Sequence, residues 1–274
     1  MKKHLSTIVL ILIFLIGLSL LLYPSVSNYW NSFHASRAIA SYSEQTAVLD
    51  EEAYRQIWEA AETYNQRLAK RGIQFSISAE QEEEYQNLLN PGNTGVMGYI
   101  EIEKLGVSLP IYHGTDDAIL QIAAGHLDWS SLPVGGTSTH CVLSGHRGLP
   151  SAQLFTDLDQ LVEGDTFVLY ILNAMLTYEV DQILIVEPED LSALQIEEGR
   201  DLCTLVTCTP YGINTHRLLV RGHRIDNAVA GKLVHVTSEA VQIEPVLVAP
   251  VVAAPILLVL LIVLLIPKRK KNRR

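Results

Sequence analysis

The stretch Thr204–Arg224, "TLVTCTPYGINTHRLLVRGHR", decides how the rest of the chain is read. Its first part is a β-branched run that carries Cys208 at its end, and Thr209-Pro210 then stops regular pairing. A Gly- and Asn-containing turn follows, and "HRLLVRGHRI" opens a second apolar run with His216 and Arg217 at its start. This predicts two strands joined by a turn, with a thiol and a guanidinium brought to one rim. Alternation along the second strand puts Arg217 and Arg221 on the same face, so either can be the cation at that rim.

Upstream, "THCVLSGHRG" (Thr139–Gly148) ends a third apolar run in a glycine-flanked turn, where His146 can project from a strand end. A neutral thiol is a poor nucleophile unless a base takes its proton, and histidine is the natural partner. If these strands lie side by side, the pair to expect is Cys208 as nucleophile and His146 as acid and base, with a guanidinium aimed at a developing oxyanion. The bland alternatives are an inert buried cysteine and a structural histidine at a strand end.

Between Gly98 and Ile225 the texture is all short strands and turns. "GYIEIEKLGVSLPIYHG" reads as two strands, and others are expected at "DTFVLYIL", "LTYEVDQILIV" and "DLCTLVTC". A helical patch is expected at "TDDAILQIAAGH" with Thr115 as N-cap, and short helices at Ser151–Leu161 and Glu189–Gln195. That density of short strands predicts a mainly β fold, a barrel or a sandwich. Before it, Glu44–Lys70 reads as one amphipathic helix terminated by Gly72, and Ser78-Ala-Glu-Gln81 is a capping box opening a second helix that ends by "NPG" at 90–92.

The two ends differ from the middle. Leu5–Tyr23 is apolar and follows Met1-Lys2-Lys3-His4, close to the ~20 residues needed to cross a bilayer. Tyr23-Pro24-Ser25-Val26 is a poor cleavage site, so a retained signal anchor is favoured over a cleaved signal peptide. Val246–Ile266 is a second apolar span, kinked by Pro250 and Pro255 and followed by "KRKKNRR". Basic residues collect on the cytoplasmic side, so both ends are expected inside and the intervening segment outside. That segment holds all 30 acidic residues against 12 of the 20 basic ones, a net of −18. Such a charge repels polyanions and excludes nucleic acid as a partner. The expected layout is a signal anchor over 1–23, a helical and lid-like region over 24–95, a catalytic domain over 96–226, a juxtamembrane linker over 227–245, a transmembrane helix over 246–267 and a basic tail over 268–274.

No metal site or cofactor is expected. The nine histidines form no H-E-x-x-H, the three cysteines form no C-x-x-C, and His126 and His140-Cys141 are too loosely placed. An odd cysteine count leaves at least one thiol unpaired.

Taken together, "TLVTC", Arg217 nine residues beyond its cysteine and "SGHRG" upstream resemble the sortases, cysteine transpeptidases of Gram-positive bacteria. The resemblance runs from about Met97 to Arg224. "MGYIEI", "LPIYHGT", "GHRGLPSAQLF", "TCTPYG" and "NTHRLLVRGHR" are most similar to the class C, pilus-assembling branch. It implies a closed eight-stranded barrel with Cys208, His146 and Arg217 around a groove. It also implies cleavage of a Leu-Pro-x-Thr-Gly-type signal between Thr and Gly through a thioacyl enzyme. The acyl group then passes to an amine, a pilin lysine or, in wall-anchoring relatives, a peptidoglycan precursor. Thr207 is either an oxyanion aid or an ordinary strand residue. Class C relatives carry a lid with an Asp-Pro-aromatic motif, whereas "KRGIQFSISAEQEEE" has no Asp-Pro. Phe75 is the aromatic that can substitute there, and a plain linker is the other reading.

Cys141 and Cys203 each lie five residues before a member of the reacting pair. Parallel in-register strands would make them neighbours on the opposite face, either as two buried thiols or as a disulfide. Two other classes fit poorly. A wall-anchored pilin or adhesin needs a sorting motif before its span, and "HVTSEAVQIEPVLV" has none. A papain-like protease places its cysteine before its histidine.

Overall fold

Successive side chains along the strands face opposite sides of the sheet, and the inner side is lined by apolar residues. The computed structural model describes residues 2–227 apart from Ile73. The expected transmembrane helix at 246–267, the tail at 268–274 and nearly all of the linker at 227–245 lie outside the described residues.

Eight strands form a closed barrel: β1 (Val96–Ile102), β2 (Val107–His113), β3 (Ala124–His126), β4 (Thr139–Ser144), β5 (Thr166–Ile171), β6 (Ala174–Val186), β7 (Asp201–Thr209) and β8 (His216–Ile225). Around the barrel the order is β1-β2-β3-β4-β7-β8-β6-β5. Two neighbour pairs, β2/β3 and β4/β7, are parallel, and the others are antiparallel. Among the described residues every strand is paired on both sides, so closure leaves none as an edge strand.

Along β7, β8 and β4 the residues alternate strictly between inside and outside. Cys141, Leu143, Cys203, Leu205, Leu218 and Val220 point into the barrel core. Val142, Val206 and Leu219 instead join Trp129, Leu184 and Val186 in a second apolar cluster on the outer face. Gly222 shows how tightly the interior is filled, since a Cβ there would stand 2.8 Å from the Phe167 ring.

The helices differ in part from the sequence expectation. α1 (Lys2–Ala47) contains Pro24, and α2 (Glu51–Arg71) starts anew because Asp50 caps it, its side chain accepting from Ala53 N. The expected single helix over Glu44–Lys70 is therefore broken at Val48–Asp50. Ser78 and Gln81 form the expected capping box on α3 (Ala79–Asn87), and the expected helix after Thr115 is one short element, α4 (Asp117–Leu120). Instead of helices at Ser151–Leu161 and Glu189–Gln195 there are single 3-10 turns at Leu158–Gln160 and Ser192–Leu194.

α1 is long and apolar enough to cross a membrane, and its side chains at Leu12, Ile13, Ile16 and Leu20 are exposed. Two buried polar contacts tie the later helical segments to the barrel. Tyr42 Oη donates to Met97 O at 2.8 Å and accepts from Leu172 N at 2.7 Å. The Asn65 amide on α2 donates to Leu132 O at 2.9 Å and accepts from Leu132 N at 2.8 Å. Buried donors and acceptors left unmatched would each cost about 1–3 kcal/mol, so these pairs fix where the helices dock.

Candidate active site

Cys208 is on the outer parity of β7, opposite to that of the buried Cys203, and it is partly exposed. Its partner across the antiparallel ladder is Arg217 at the start of β8. The two sequence-distant groups are thus neighbours because the turn Pro210–Thr215 folds β8 back in that register.

His146 comes to the same rim from the other side. β4 and β7 run in parallel, with Cys141 opposite Cys203 and Ser144 opposite Val206, and Gly145 N adds a rung to Val206 O at 3.1 Å. Beyond that point two side-chain contacts keep the same offset of 62 residues. Thr207 Oγ1 donates to Gly145 O at 2.7 Å, and Arg147 Nη1 donates to Thr209 Oγ1 at 3.2 Å. His146 and Cys208, also 62 apart, are bracketed between these two contacts. The turn itself is pinned by Phe155 N donating to His146 O at 3.1 Å and by Gly148 N donating to Thr156 Oγ1 at 3.1 Å. Gly145 must be glycine here, since a Cβ would stand 2.5 Å from the Phe155 ring.

The two arginines of β8 separate cleanly. Arg221 is consumed by carboxylates: Nε donates to Asp181 Oδ1 at 2.9 Å, Nη2 to Asp181 Oδ2 at 3.1 Å and Nη1 to Glu197 Oε1 at 2.7 Å. Arg200 also binds Asp181 and Glu197. Burial pushes the Asp181 carboxyl up, but the bonds from Arg221 and Arg200 outweigh it and hold the carboxyl below its ordinary range. Arg217, in contrast, donates through Nη1 to the carbonyls of His216, at 3.1 Å, and Asn214, at 3.4 Å. Neutral carbonyls leave its charge uncompensated and its fork available to a substrate oxygen.

Thr207 is buried on the inner parity, and its hydroxyl is engaged by Gly145 O. Phe75 stands edge-on to Trp129, with ring centroids 5.0 Å apart at 82°. Two residues on, Ile77 packs into the outer cluster of Trp129, Val142, Leu219 and Val206. The segment ahead of α3 therefore lies against the face that carries Cys208. Ile77 was not singled out from the sequence, although its alternation with Phe75 in an extended stretch is the signal that marks it. Cys141 and Cys203 are in register and buried in the barrel, and both are free thiols. Burial and the neighbouring sulfur keep the Cys203 thiol well above its ordinary value.

A thiol, an imidazole and an uncompensated guanidinium at one open rim form a set suited to covalent acyl transfer. Comparison with known proteins agrees with that chemistry. Residues 100–225 match the Sortase domain family. Sortase C1 from Streptococcus agalactiae is 51% identical in sequence and superimposes with a TM-score of 0.69, covering 70% of this chain and 99% of that one. Sortase C from Streptococcus pneumoniae, whose structure concerns catalysis and pilin substrate specificity, is 40% identical with a TM-score of 0.60 over 69% of this chain and 97% of that one. Sortase D from Bacillus subtilis is 31% identical over 131 residues, 47% of this chain, and the chain spans 63% of that relative's length. With a closed barrel of this strand order and a half-identical solved structure covered almost end to end, the chain belongs to the sortase family of cysteine transpeptidases, alongside its class C members.

Proposed function

We propose that this protein is a membrane-anchored transpeptidase that joins sorting-signal proteins to an amine, with Cys208, His146 and Arg217 as its reacting groups. One observation supports the reading: the equal-offset contacts at Gly145–Thr207 and Arg147–Thr209 bracket His146 and Cys208, and Arg217 is the ladder partner of Cys208 on β8. Cys208 gives its thiol proton to His146 as its Sγ attacks the carbonyl carbon of the Thr–Gly bond in a Leu-Pro-x-Thr-Gly-like signal, and the carbonyl π pair moves to the oxygen. The Arg217 guanidinium stabilises that oxyanion. Collapse of the adduct breaks the C–N bond, His146 protonates the departing glycine amine, and a thioester remains on Cys208. An incoming amine then loses its proton to His146, attacks the thioester and releases the thiol.

The class C neighbours favour a pilin lysine as that amine, which makes the product an isopeptide bond and the process pilus polymerisation. Thr207 contributes through the backbone it fixes, because its hydroxyl is already donated to Gly145. The segment with Phe75 and Ile77 serves as the lid over the groove, without the Asp-Pro of relatives. α1 anchors the enzyme, the span at 246–267 forms a second anchor, and the acidic segment between them works outside the cell.

Incubating the full-length protein in detergent with a panel of sorting-signal peptides, lysine donors and peptidoglycan-type amine donors, read by mass spectrometry, tests this. The expected product is a peptide cut after Thr and joined to the lysine Nζ. Acyl transfer only to a peptidoglycan-type amine would instead make it a wall-anchoring enzyme, and no cleavage at all would overturn the reading.

A further inference from the structure

We propose that Arg147 is a positioning residue for the reacting pair, acting through Thr209. The inference rests on the assignment of His146 and Cys208 made above. Backbone pairing between β4 and β7 stops early: Ser144 faces Val206, Gly145 N reaches Val206 O, and β4 has ended. β7 continues three residues further, to Thr209. On that side nothing from the ladder itself sets the separation of His146 and Cys208. The contacts that remain come from side chains. Thr207 Oγ1 grips Gly145 O from before Cys208, and Arg147 Nη1 grips Thr209 Oγ1 from after it. The residues on either side of His146 are thus joined to the residues on either side of Cys208.

Arg147 is placed at some expense. Its side chain is only 10% exposed, whereas Asp159, which pairs with its other Nη, is 47% exposed. Its Nε is buried without a hydrogen-bond partner among the described residues. An arginine kept only for a surface ion pair gains little from such a pair and would have no need of that desolvation. The planar fork explains the arrangement. One Nη binds the carboxylate beyond the turn and the other binds the Thr209 hydroxyl, so the guanidinium spans two points that a lysine, as a single compact charge, does not span in the same geometry. The loops also meet nearby, since a Cβ on Gly148 would lie 3.0 Å from the Tyr211 ring. Proton transfer between an imidazole and a sulfur is steep in distance, and a misplacement of about 1 Å can cost about 100-fold in rate. Arg147 touches no reacting atom. It sets where two of them stand.

The test measures kcat, KM, the pH profile of kcat/KM, the pH profile of Cys208 alkylation by iodoacetamide, and thermal stability. It uses the full-length protein in detergent and the variants Arg147→Lys, Arg147→Gln, Thr209→Val and Cys208→Ala. Arg147→Lys and Thr209→Val are expected to lower kcat about 10- to 100-fold with KM within about twofold. Both pH profiles should shift, because the separation of the imidazole and the sulfur changes. A double variant carrying Arg147→Lys and Thr209→Val should be no worse than the worse single one, since both remove the same contact. Thr209→Val conserves shape, so it keeps the test valid even if Arg147→Gln fails to fold. Wild-type kcat and unshifted profiles in Arg147→Lys and Thr209→Val, with Cys208→Ala inactive, would overturn the positioning role and leave the active-site assignment standing. Lost activity that tracks lost melting temperature, with unshifted profiles, would also overturn it, as a merely structural role. Full activity in Cys208→Ala would remove the assignment and the inference together.

Discussion

The same three strands, β4, β7 and β8, present two faces with opposite duties. Inside, Cys141, Leu143, Cys203, Leu205, Leu218 and Val220 fill the barrel. Outside, alternate positions carry an apolar strip of Val142, Val206 and Leu219, a half-buried ionic knot around Arg221 at one end and Cys208 with Arg217 at the other. The inner face supplies register, and the outer face uses it. A slip of one residue in β7 would turn Cys208 into the core and Cys203 out of it.

Two cysteines on one strand make the widest test of that division. Cys208→Ala should abolish transpeptidation, by about four orders of magnitude or more, with the melting temperature unchanged. Cys203→Ala should leave the activity of the folded protein intact and cost about 1 kcal/mol of stability, since it only deletes a buried sulfur. Product formation by mass spectrometry and thermal unfolding read the two effects. Equal losses of activity would dissolve the distinction between the faces.

The arginines of β8 sharpen it next. Arg217→Ala should lower kcat/KM about 100- to 1,000-fold, the scale of one lost oxyanion donor, without touching stability. Arg221→Ala should do the reverse, costing about 1–3 kcal/mol because Asp181 and Glu197 lose one of their two arginine partners, with kcat/KM within a few fold. Steady-state kinetics beside thermal melts of both variants would decide, and interchangeable behaviour would refute it.

This pair also marks the limit of what the sequence carries. Strand alternation put Arg217 and Arg221 on one face, and it could not say which was free. That answer needs Asp181, 40 residues away on β6, and Glu197, 24 residues away in a loop. Local signals did better where they were self-contained. The capping box at Ser78 and Gln81 followed from residue type and spacing alone, whereas the Cys141/Cys203 neighbourhood followed only on the condition of parallel in-register strands, which β4 and β7 meet. The expected helix at Ser151–Leu161 failed because the preceding turn claims its groups: Phe155 N donates to His146 O, and the Thr156 hydroxyl accepts from Gly148 N. The break between α1 and α2 was missed because the apolar period runs on through it, although Asp50 is a good N-cap by residue type.

The outer face also has a cover, and its grip is modest. Phe75 contributes one edge-on aromatic contact with Trp129, a pair worth about 0.5–1.5 kcal/mol beyond its buried area. Phe75→Ala should therefore raise the rate of Cys208 alkylation by roughly 2- to 12-fold if lid opening limits access. Ile77→Ala, which leaves the apolar cluster of Trp129, Val142 and Leu219, should raise it by a similar factor. Unchanged alkylation in both variants would make the segment a plain linker.

The smallest effect belongs to the far end of the same face, and its sign can be worked out. His140 is buried with Nδ1 2.7 Å from Gln195 O and Nε2 2.7 Å from Thr204 Oγ1. A ring that donates to the carbonyl and accepts from the hydroxyl is neutral. Burial, with Arg221 and Arg200 nearby, lowers its pKa against the opposing pull of the Gln195 carbonyl and Glu197. The unfolded chain takes up a proton on this histidine below about pH 6.5, and the fold does not until lower pH. Its contribution to stability is complete above that value and declines as the pH falls through the interval beneath it. His113, also lowered by burial, declines in the same window. Asp181, held low by its arginines, gives way only in the more acidic range below the ordinary carboxylate value of about 4. Melting temperatures measured from pH 7.5 to 5.5 should therefore fall by a few degrees, and His140→Gln should flatten part of that fall while His113 retains the rest. A steeper fall in His140→Gln than in the wild type would mean that the ring is charged in the fold and that this end of the face is built on an imidazolium.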